Sequence, residues 1–540
     1  MVNLKIPMQL RASYQRLYLP GLAVIIFGMV VWVRLRLLGL PLERDEGEYA
    51  YMAQQLLQGI LPYTESQSMK FPGIYFVYAG ILTFLGENPS DIHLSIIFVN
   101  LTTAYFIFLL GKSLLNLSAG IVAAVCFLVL TLSPALHGFW ANSEHFVLLP
   151  ALAGIFLLRV VQDQPVVFFL SGLLLGSSLL IKQHAMLFCL FGALYLCFRI
   201  FSSSQSLKKI FLYVGLFSLG NLVPLILSAL FYKAGGKFSD FWFCTVQYAS
   251  EYVSLISLAE GFENFKYNFA RILESNFTVL WLSLIGLASV AWTRDKNSEY
   301  LFLFGFFLCS FLAITPGLYF RPHYFLLWVP ALSLIAATGF EGLVYAFSSS
   351  QIKNIARVGI FILAFGIPFL IQKDVFFKLS TFQVTRLVYG LNPFPESFEV
   401  ARYIRNHSEK NDRVVVLGSE PQIYFFSHRK AATRHIYMFP LMERHVYVRK
   451  MQTELIQEVE GTQPEFVVVV NLGGSWVSPR EDISPTLKDW AQDYLNGKYD
   501  IQGVVDILTN ETTVYKWEEQ AKGYHPQSRF HLLLYKKRPL

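Results

Sequence analysis

Residues 42–73 read LERDEGEYAYMAQQLLQGILPYTESQSMKFPG, and the reading of this stretch decides what kind of molecule the chain is. It follows a first apolar run (19–40). It gathers Glu43, Arg44, Asp45, Glu46 and Glu48 ahead of an amphipathic segment, and it ends on Lys70-Phe71-Pro72-Gly73. Asp45 with Glu48 three residues on has the spacing of a capping box, and Tyr49, Met52 and Leu56 recur at helical spacing, with Gly59 near the stop. The spacing predicts a short helix in the membrane interface, with Tyr49 and Tyr51 at headgroup level. The acids have two readings at this point: helix caps in a wet loop, or chemistry on a lipid-borne anion with the lysine.

Outward from this stretch the chain is apolar. Of its 540 residues 54% are hydrophobic and only 15% charged, against about a quarter charged in a soluble domain, which makes it an integral membrane protein. Apolar runs near 19–40, 91–111, 118–136, 145–161, 165–182, 184–201, 209–231, 275–292, 300–315, 323–347 and 354–372 predict eleven spans. Phe71–Leu85 is too short to cross alone and reads as re-entrant or interfacial. The aromatic connection 233–269 reads as an extracytoplasmic loop with an interfacial belt.

Charge divides the chain again. Residues 374–540 hold 41 of the 81 charged side chains. The expected domains are therefore a membrane body, 1–372, with its first extracytoplasmic loop at 41–90, and a soluble domain, 373–540. Arg413–Leu417, Phe466–Val470 and His531–Tyr535 read as strands and Phe398–Asn406 as a helix, so the tail is α/β, a cover or acceptor-handling domain. It has no G-x-G-x-x-G.

Lys5, Arg11 and Arg16 before the first run suggest an uncleaved signal anchor with a cytoplasmic N-terminus. An odd number of spans then places the C-terminal domain outside the cytoplasm, in a multi-pass cell membrane protein. The net charge of +7 gives no reason to invoke nucleic acid, and the five cysteines, all in apolar runs, suggest neither disulfides nor a thiolate metal site.

Three further places put polar groups where apolar ones are expected: Asn142 and Glu144 at the mouth of a span, Lys182-Gln183-His184 inside an apolar run, and Tyr319 with Arg321-Pro322-His323-Tyr324. Charge near membrane depth is costly, so each needs a partner or a task. Lys182 could snorkel and Arg321 could anchor a helix end. Glu144-His145 lacks a third ligand for zinc.

The motifs RDEGEYAYMAQQLLQG, KFPGIY, ANSEHFVLLP, LIKQHA and RPHYFLLWVPAL together resemble the GT-C membrane glycosyltransferases. More narrowly they are similar to bacterial relatives of protein O-mannosyltransferases and lipid A aminoarabinose transferases. The resemblance covers roughly residues 20–340. It implies transfer, with inversion, of a hexosyl or pentosyl group from a polyprenyl phosphate to a hydroxyl of lipid A, a glycan or a protein. Carried over residue by residue, it makes Asp45 the catalytic aspartate, Glu46 its companion and Lys70 the lysine that holds the donor phosphate, with Glu144, Lys182, His323 and Tyr324 at further active-site positions. A lipid phosphate leaves as a stable anion and needs cations rather than an acid, so the charges themselves assign Asp45 as general base, Lys70 with Arg321 or Lys182 as donor-phosphate ligands, and Glu46 and Glu144 as orienting groups. His184, His323, Tyr324 and Tyr319 are the candidate substrate-binding positions. No cofactor is expected to be obligatory, and the carboxylates remain compatible with a divalent metal. The single displacement predicts that Asp45 and Lys70 flank a cavity rather than form a tight pair. Relatives often carry Pro-Pro-Gly after the lysine where this chain has Phe71-Pro72-Gly73. A polytopic transporter or lipid-carrier flippase is the alternative, and it predicts repeat-related broken helices.

Overall fold

The computed structural model describes residues 18–160, 164–202, 206–289, 297–476 and 485–539. The charges at Lys5, Arg11 and Arg16 lie outside these residues. Among the described residues seven helices are long and apolar enough to cross a membrane, and five shorter apolar helices, Gly73–Phe84 among them, accompany them. Each of the eleven expected runs falls on one of the other eleven helices. The chain is a mostly helical, multi-pass membrane protein with a C-terminal sheet.

It divides into two compact units. The first is helical and comprises the described residues of Met1–Leu38 with His93–Ser228 and Leu258–Lys378. Its helices meet through small residues, as expected where lipid gives no hydrophobic drive for helix association. A Cβ on Gly286 of the helix Leu258–Ser289 would lie 2.0 Å from the Ile335 carbonyl oxygen, and one on Gly339 of Val329–Tyr345 would lie 2.0 Å from that of Leu282. Gly286→Leu must therefore force two backbones apart. We expect a loss of about 1–3 kcal/mol or more, read as a lowered melting temperature in detergent; an unshifted melt would show that this crossing is not tight.

The second unit gathers Gly39–Ile92, Ala229–Ser257 and Leu379–Leu540. Its sheet has six strands: β1 (Arg413–Leu417), β2 (Lys430–Ala431), β3 (Phe466–Asn471), β4 (Tyr499–Ile507), β5 (Thr513–Trp517) and β6 (His531–Lys537), in the order β2-β1-β3-β6-β4-β5. β1 runs parallel to β2 and β3, and the remaining pairings are antiparallel. The expected strands at β1, β3 and β6 are present. Val415, Leu417 and Val467 pack on Met451, Leu455 and Val459 of the helix Val448–Thr462 to form the core on one face.

Two expectations of local structure are corrected. The connection 233–269 is not a loop: it forms the helices Phe238–Trp242 and Ala249–Val253 joined by a π-helical turn, Phe243–Tyr248, and its last part opens the helix Leu258–Ser289. Its aromatic residues explain this, because Phe241, Tyr248 and Tyr252 are buried as a packing face while Phe238 and Trp242 stay exposed. Tyr49 and Tyr51, expected at headgroup level, are buried inside the protein and not presented to lipid. Tyr49 packs edge-on to Tyr78, and Tyr51 accepts a hydrogen bond from the Ala431 amide.

Candidate active site

The acid helix spans Arg44–Leu57 and is capped by Glu43, not by Asp45. The Glu43 side chain accepts from the Glu46 amide (3.1 Å), and the Glu46 carboxylate accepts from the Glu43 amide (3.0 Å). This reciprocal pairing leaves Asp45 and Glu48 free of the capping task. Acids in the first turn suit the positive end of the helix dipole. Burial, then the charges of Asp45 and Glu46, push the Glu43 carboxyl well above the usual carboxylate range.

Asp45 and Glu48 are three residues apart and so share a helix face. The Lys70 ammonium stands between them, 2.9 Å from Asp45 Oδ1 and 2.7 Å from Glu48 Oε2. The expectation that Asp45 and Lys70 flank a cavity without pairing is thus corrected. Two carboxylates on one partly buried face need a cation between them, and Lys70 supplies it. Burial alone would lower the lysine pKa, but the charges and hydrogen bonds of Asp45 and Glu48 outweigh it and raise the pKa, so Lys70 is a permanent cation.

The rest of the setting fixes this group. Glu48 Oε1 accepts from Ser68 Oγ (2.6 Å) and Tyr75 OH (2.8 Å), which locks Glu48 in place. Tyr63, with φ of +70°, donates to the Lys70 carbonyl oxygen at 2.6 Å, and the Tyr49 ring lies 4.6 Å beneath the Lys70 ammonium. The Asp45 side chain keeps 22% of its surface and that of Lys70 14%, against 2% for Glu48. Asp45 and Lys70 are therefore the accessible members, and Glu48 is the buried support. Glu46 is fully buried.

The C-terminal part of the same unit closes on this helix. Gly47 lies against the helix Gln422–Ser427 so tightly that a Cβ would sit 2.6 Å from the Gln422 nitrogen. Tyr437 donates from its hydroxyl, which stands 2.8 Å from the Arg44 carbonyl oxygen and 3.2 Å from Asp45 Oδ1.

The remaining predicted residues lie in the helical unit. Glu144, fully buried, forms an ion pair with Lys182, whose ammonium also lies 4.4 Å from the centre of the Tyr324 ring. His323 Nε2 is 3.9 Å from Glu144 Oε1, an ion pair only when the imidazole is protonated. The His184 ring meets Tyr324 at 4.8 Å, and its Nδ1 bonds the Ala313 carbonyl oxygen. The Arg321 guanidinium stands over Tyr319 at 5.3 Å. Just before it, Gly317, Leu318 and Phe320 all take positive φ, strained for leucine and phenylalanine. Lys182 thus has a carboxylate partner and does not merely snorkel. Its position follows from the break at the end of the helix Pro165–Ile181, where Lys182 is extended before the turn Gln183–Ala185.

Sequence reading passed over Ser68, Tyr75 and Tyr437 and gave Glu48, beyond its place in the acid cluster, a capping role. The Asp45–Glu48 spacing was a usable signal for a shared cation. Among the described residues no group of three or more His, Cys, Asp or Glu side chains is arranged to hold a metal ion. At the acid helix, Asp45 and Glu48 direct their oxygens at Lys70, so this donor set does not fit a divalent ion while the ammonium stands between them.

Residues 69–227 match the family described as dolichyl-phosphate-mannose-protein mannosyltransferase. No curated protein sequence matches the chain significantly. Among solved structures, ArnT from Cupriavidus metallidurans bound to undecaprenyl phosphate is similar with a TM-score of 0.51 and 14% identity, over 85% of this chain and 93% of that one. The oligosaccharyltransferase AglB from Archaeoglobus fulgidus, in complex with an inhibitory peptide and a dolichol-phosphate, is similar with a TM-score of 0.54 and 9% identity, over 94% of this chain and 75% of that one. The chain therefore has the GT-C fold of membrane glycosyltransferases, with the mannosyltransferase family match falling on residues 69–227.

Proposed function

We propose that the protein is an inverting glycosyltransferase that moves one hexosyl or pentosyl group from a polyprenyl phosphate to an acceptor hydroxyl on the extracytoplasmic face of the membrane. The observation that carries this reading is the Asp45–Lys70–Glu48 group, a carboxylate and a permanent cation that are both partly accessible and are supported by a buried acid. The lipid phosphates bound to the ArnT and AglB structures support the same donor class.

The chemistry follows from the charges. The acceptor oxygen attacks the anomeric carbon, the bond from that carbon to the phosphate oxygen breaks, and the polyprenyl phosphate leaves as a stable anion. The leaving group needs no proton; it needs a cation where negative charge accumulates, the role of Lys70. The acceptor's proton needs a base, the role of Asp45. A phosphate arriving at Lys70 competes with Asp45 for the ammonium; drawing it off Asp45 opens the gap that a single displacement needs between base and leaving group, and it makes Asp45 more basic as the donor is seated. Glu46 caps the helix that carries Asp45. In the helical unit, Lys182 and Arg321 are further candidate phosphate ligands. Glu144 orients Lys182, and His184, His323, Tyr324 and Tyr319 are candidate substrate contacts. No step is assigned to a metal.

The test uses the full chain in lipid bilayers supplied with undecaprenyl phosphate carrying a labelled sugar, plus lipid A, oligosaccharide or peptide acceptors. Transfer releases undecaprenyl phosphate and labels an acceptor. Movement of the intact lipid-linked sugar between leaflets, with the sugar–phosphate bond unbroken, would instead make the protein a carrier.

A further inference from the structure

We infer that Tyr437 is a positioning residue for Asp45 and that the loop after β1 holds it in place, so that the C-terminal domain is part of the catalytic apparatus rather than a cover over it. The inference rests on the reading of Asp45 as the proton acceptor.

Tyr437 lies on the connection between β2 and the turn Phe439–Leu441. Its single hydroxyl proton has two acceptors in reach, the Arg44 carbonyl oxygen and Asp45 Oδ1. Lys70 donates to the same Oδ1 at 2.9 Å. Two donors converging on one carboxylate oxygen fix the rotation of the carboxylate about its last torsion.

Both ends of the Tyr437–Asp45 contact are tied to one place. The Met438 amide, next to Tyr437, donates to Ser419 Oγ at 3.0 Å. Arg44, next to Asp45, donates to the Ser419 carbonyl oxygen, to Glu420 Oε1 at 3.0 Å and to Asn392 Oδ1 at 3.1 Å. Its guanidinium lies between the rings of Phe394 and Phe439, 5.4 and 5.1 Å from their centres. Ser419 and Glu420 lie just past β1, after Gly418, and are pinned by Ser475: the Ser419 amide donates to Ser475 Oγ, and Ser475 Oγ donates to Glu420 Oε2. Glu420 is fully buried. A buried, hydrogen-bonded strand end is among the least mobile parts of a domain. Anchoring the base and its hydrogen-bond donor to the same strand end holds their separation constant.

The phenol is suited to the task. Burial first, then the charges of Asp45, Glu48 and Glu43, push its pKa well above the usual value, so it remains a neutral donor wherever Asp45 is ionised. The groups around Asp45 are Glu43, Arg44, Glu46 and Glu48 on its own helix and cap, and Lys70 from the following segment. Tyr78 comes from the helix Gly73–Phe84, and Tyr389 and Tyr437 from the C-terminal segment. A donor to a carboxylate favours its charged form, and losing one favours protonation.

The experiment compares Tyr437→Phe, Ser419→Ala and Asp45→Asn with the unaltered full chain in bilayers, following transfer from labelled polyprenyl-phosphate sugar across pH. Tyr437→Phe is expected to lower kcat about ten- to a hundredfold, with KM for the donor unchanged. The acid limb of the rate profile should move about one unit toward higher pH. Ser419→Ala keeps the phenol but loosens its tether, so it should move the limb the same way by less; monodisperse yield from the membrane fraction reports folding for each variant. An unmoved acid limb in both variants overturns the inference, even if kcat falls, because a merely structural loss leaves the limb in place. Asp45→Asn separates the two readings. If that variant still transfers sugar, the assignment of Asp45 itself fails; if it is inactive while Tyr437→Phe behaves like the unaltered chain, only the role of Tyr437 fails.

Discussion

Asp45→Asn is expected to reduce sugar transfer by about two to four orders of magnitude, the range spanned by loss of a positioned general base, while leaving expression and membrane insertion as they were. The substitution keeps the shape of the side chain and its capacity to accept a hydrogen bond from Tyr437, and it removes the charge and most of the basicity. The fold should tolerate this because Lys70 is not stranded: its 2.7 Å pair with Glu48 survives, and Glu48 keeps the hydrogen bonds from Ser68 and Tyr75. The helix also keeps its start, since the cap is made by Glu43 and Glu46. Loss of rate and loss of structure are therefore separable at this position. The measurement is transfer rate per folded protein, with folded protein quantified by monodisperse yield from the membrane fraction. A variant retaining more than about a tenth of the rate would remove Asp45 from the role of base, since no mechanism with an essential base tolerates so small a loss.

How much of this was legible in the sequence follows from the range of the forces involved. The membrane class and the eleven apolar helices come from composition and local hydropathy, which act along the chain. Strands β1 and β3 were visible because they are buried runs of valine, and β4 and β5 were not, because polar residues, Gly503 and a register shift at Ile501 break their pattern. The start of the helix Leu258–Ser289 was hidden by its polar opening, Glu260 to Asn268, which reads as loop by hydropathy but continues as helix. The cap was displaced by two residues because glutamate is an uncommon N-cap and Asp45–Glu48 has the same spacing as Glu43–Glu46. Asp45 and Lys70 were singled out by their charge beside the first apolar run, and the family resemblance gave them candidate roles. Their ion pair was not, since the expectation of a gap weighed the reaction and ignored the cost of two neighbouring carboxylates without a cation. Tyr437 was beyond reach, because 392 residues separate it from Asp45 and nothing in its local sequence marks it.

Replacing Lys70 is expected to have two consequences, and a second substitution pulls them apart. In Lys70→Met, Asp45 and Glu48 face one another with no cation between them in a partly buried site, and breaking a buried pair in this way costs about 3–5 kcal/mol. The site can escape by taking up a proton, so the melting temperature of Lys70→Met should fall most at high pH and recover as the pH drops into the range where carboxyl groups protonate. Adding Glu48→Gln removes one of the two like charges, and the amide still accepts from Ser68 and Tyr75, so Lys70→Met/Glu48→Gln should regain most of the lost stability. It should not regain transfer. If Lys70 is the cation that meets the donor phosphate, the rate in the double variant stays about a hundredfold or more below that of the unaltered chain, with a weakened dependence on donor concentration. The measurements are thermal melts across pH and donor titrations of initial rate in bilayers. A double variant that melts normally and saturates with donor at the usual concentration would assign Lys70 to holding the acid helix alone, and the phosphate would then need a different cation, with Lys182 and Arg321 the next to test.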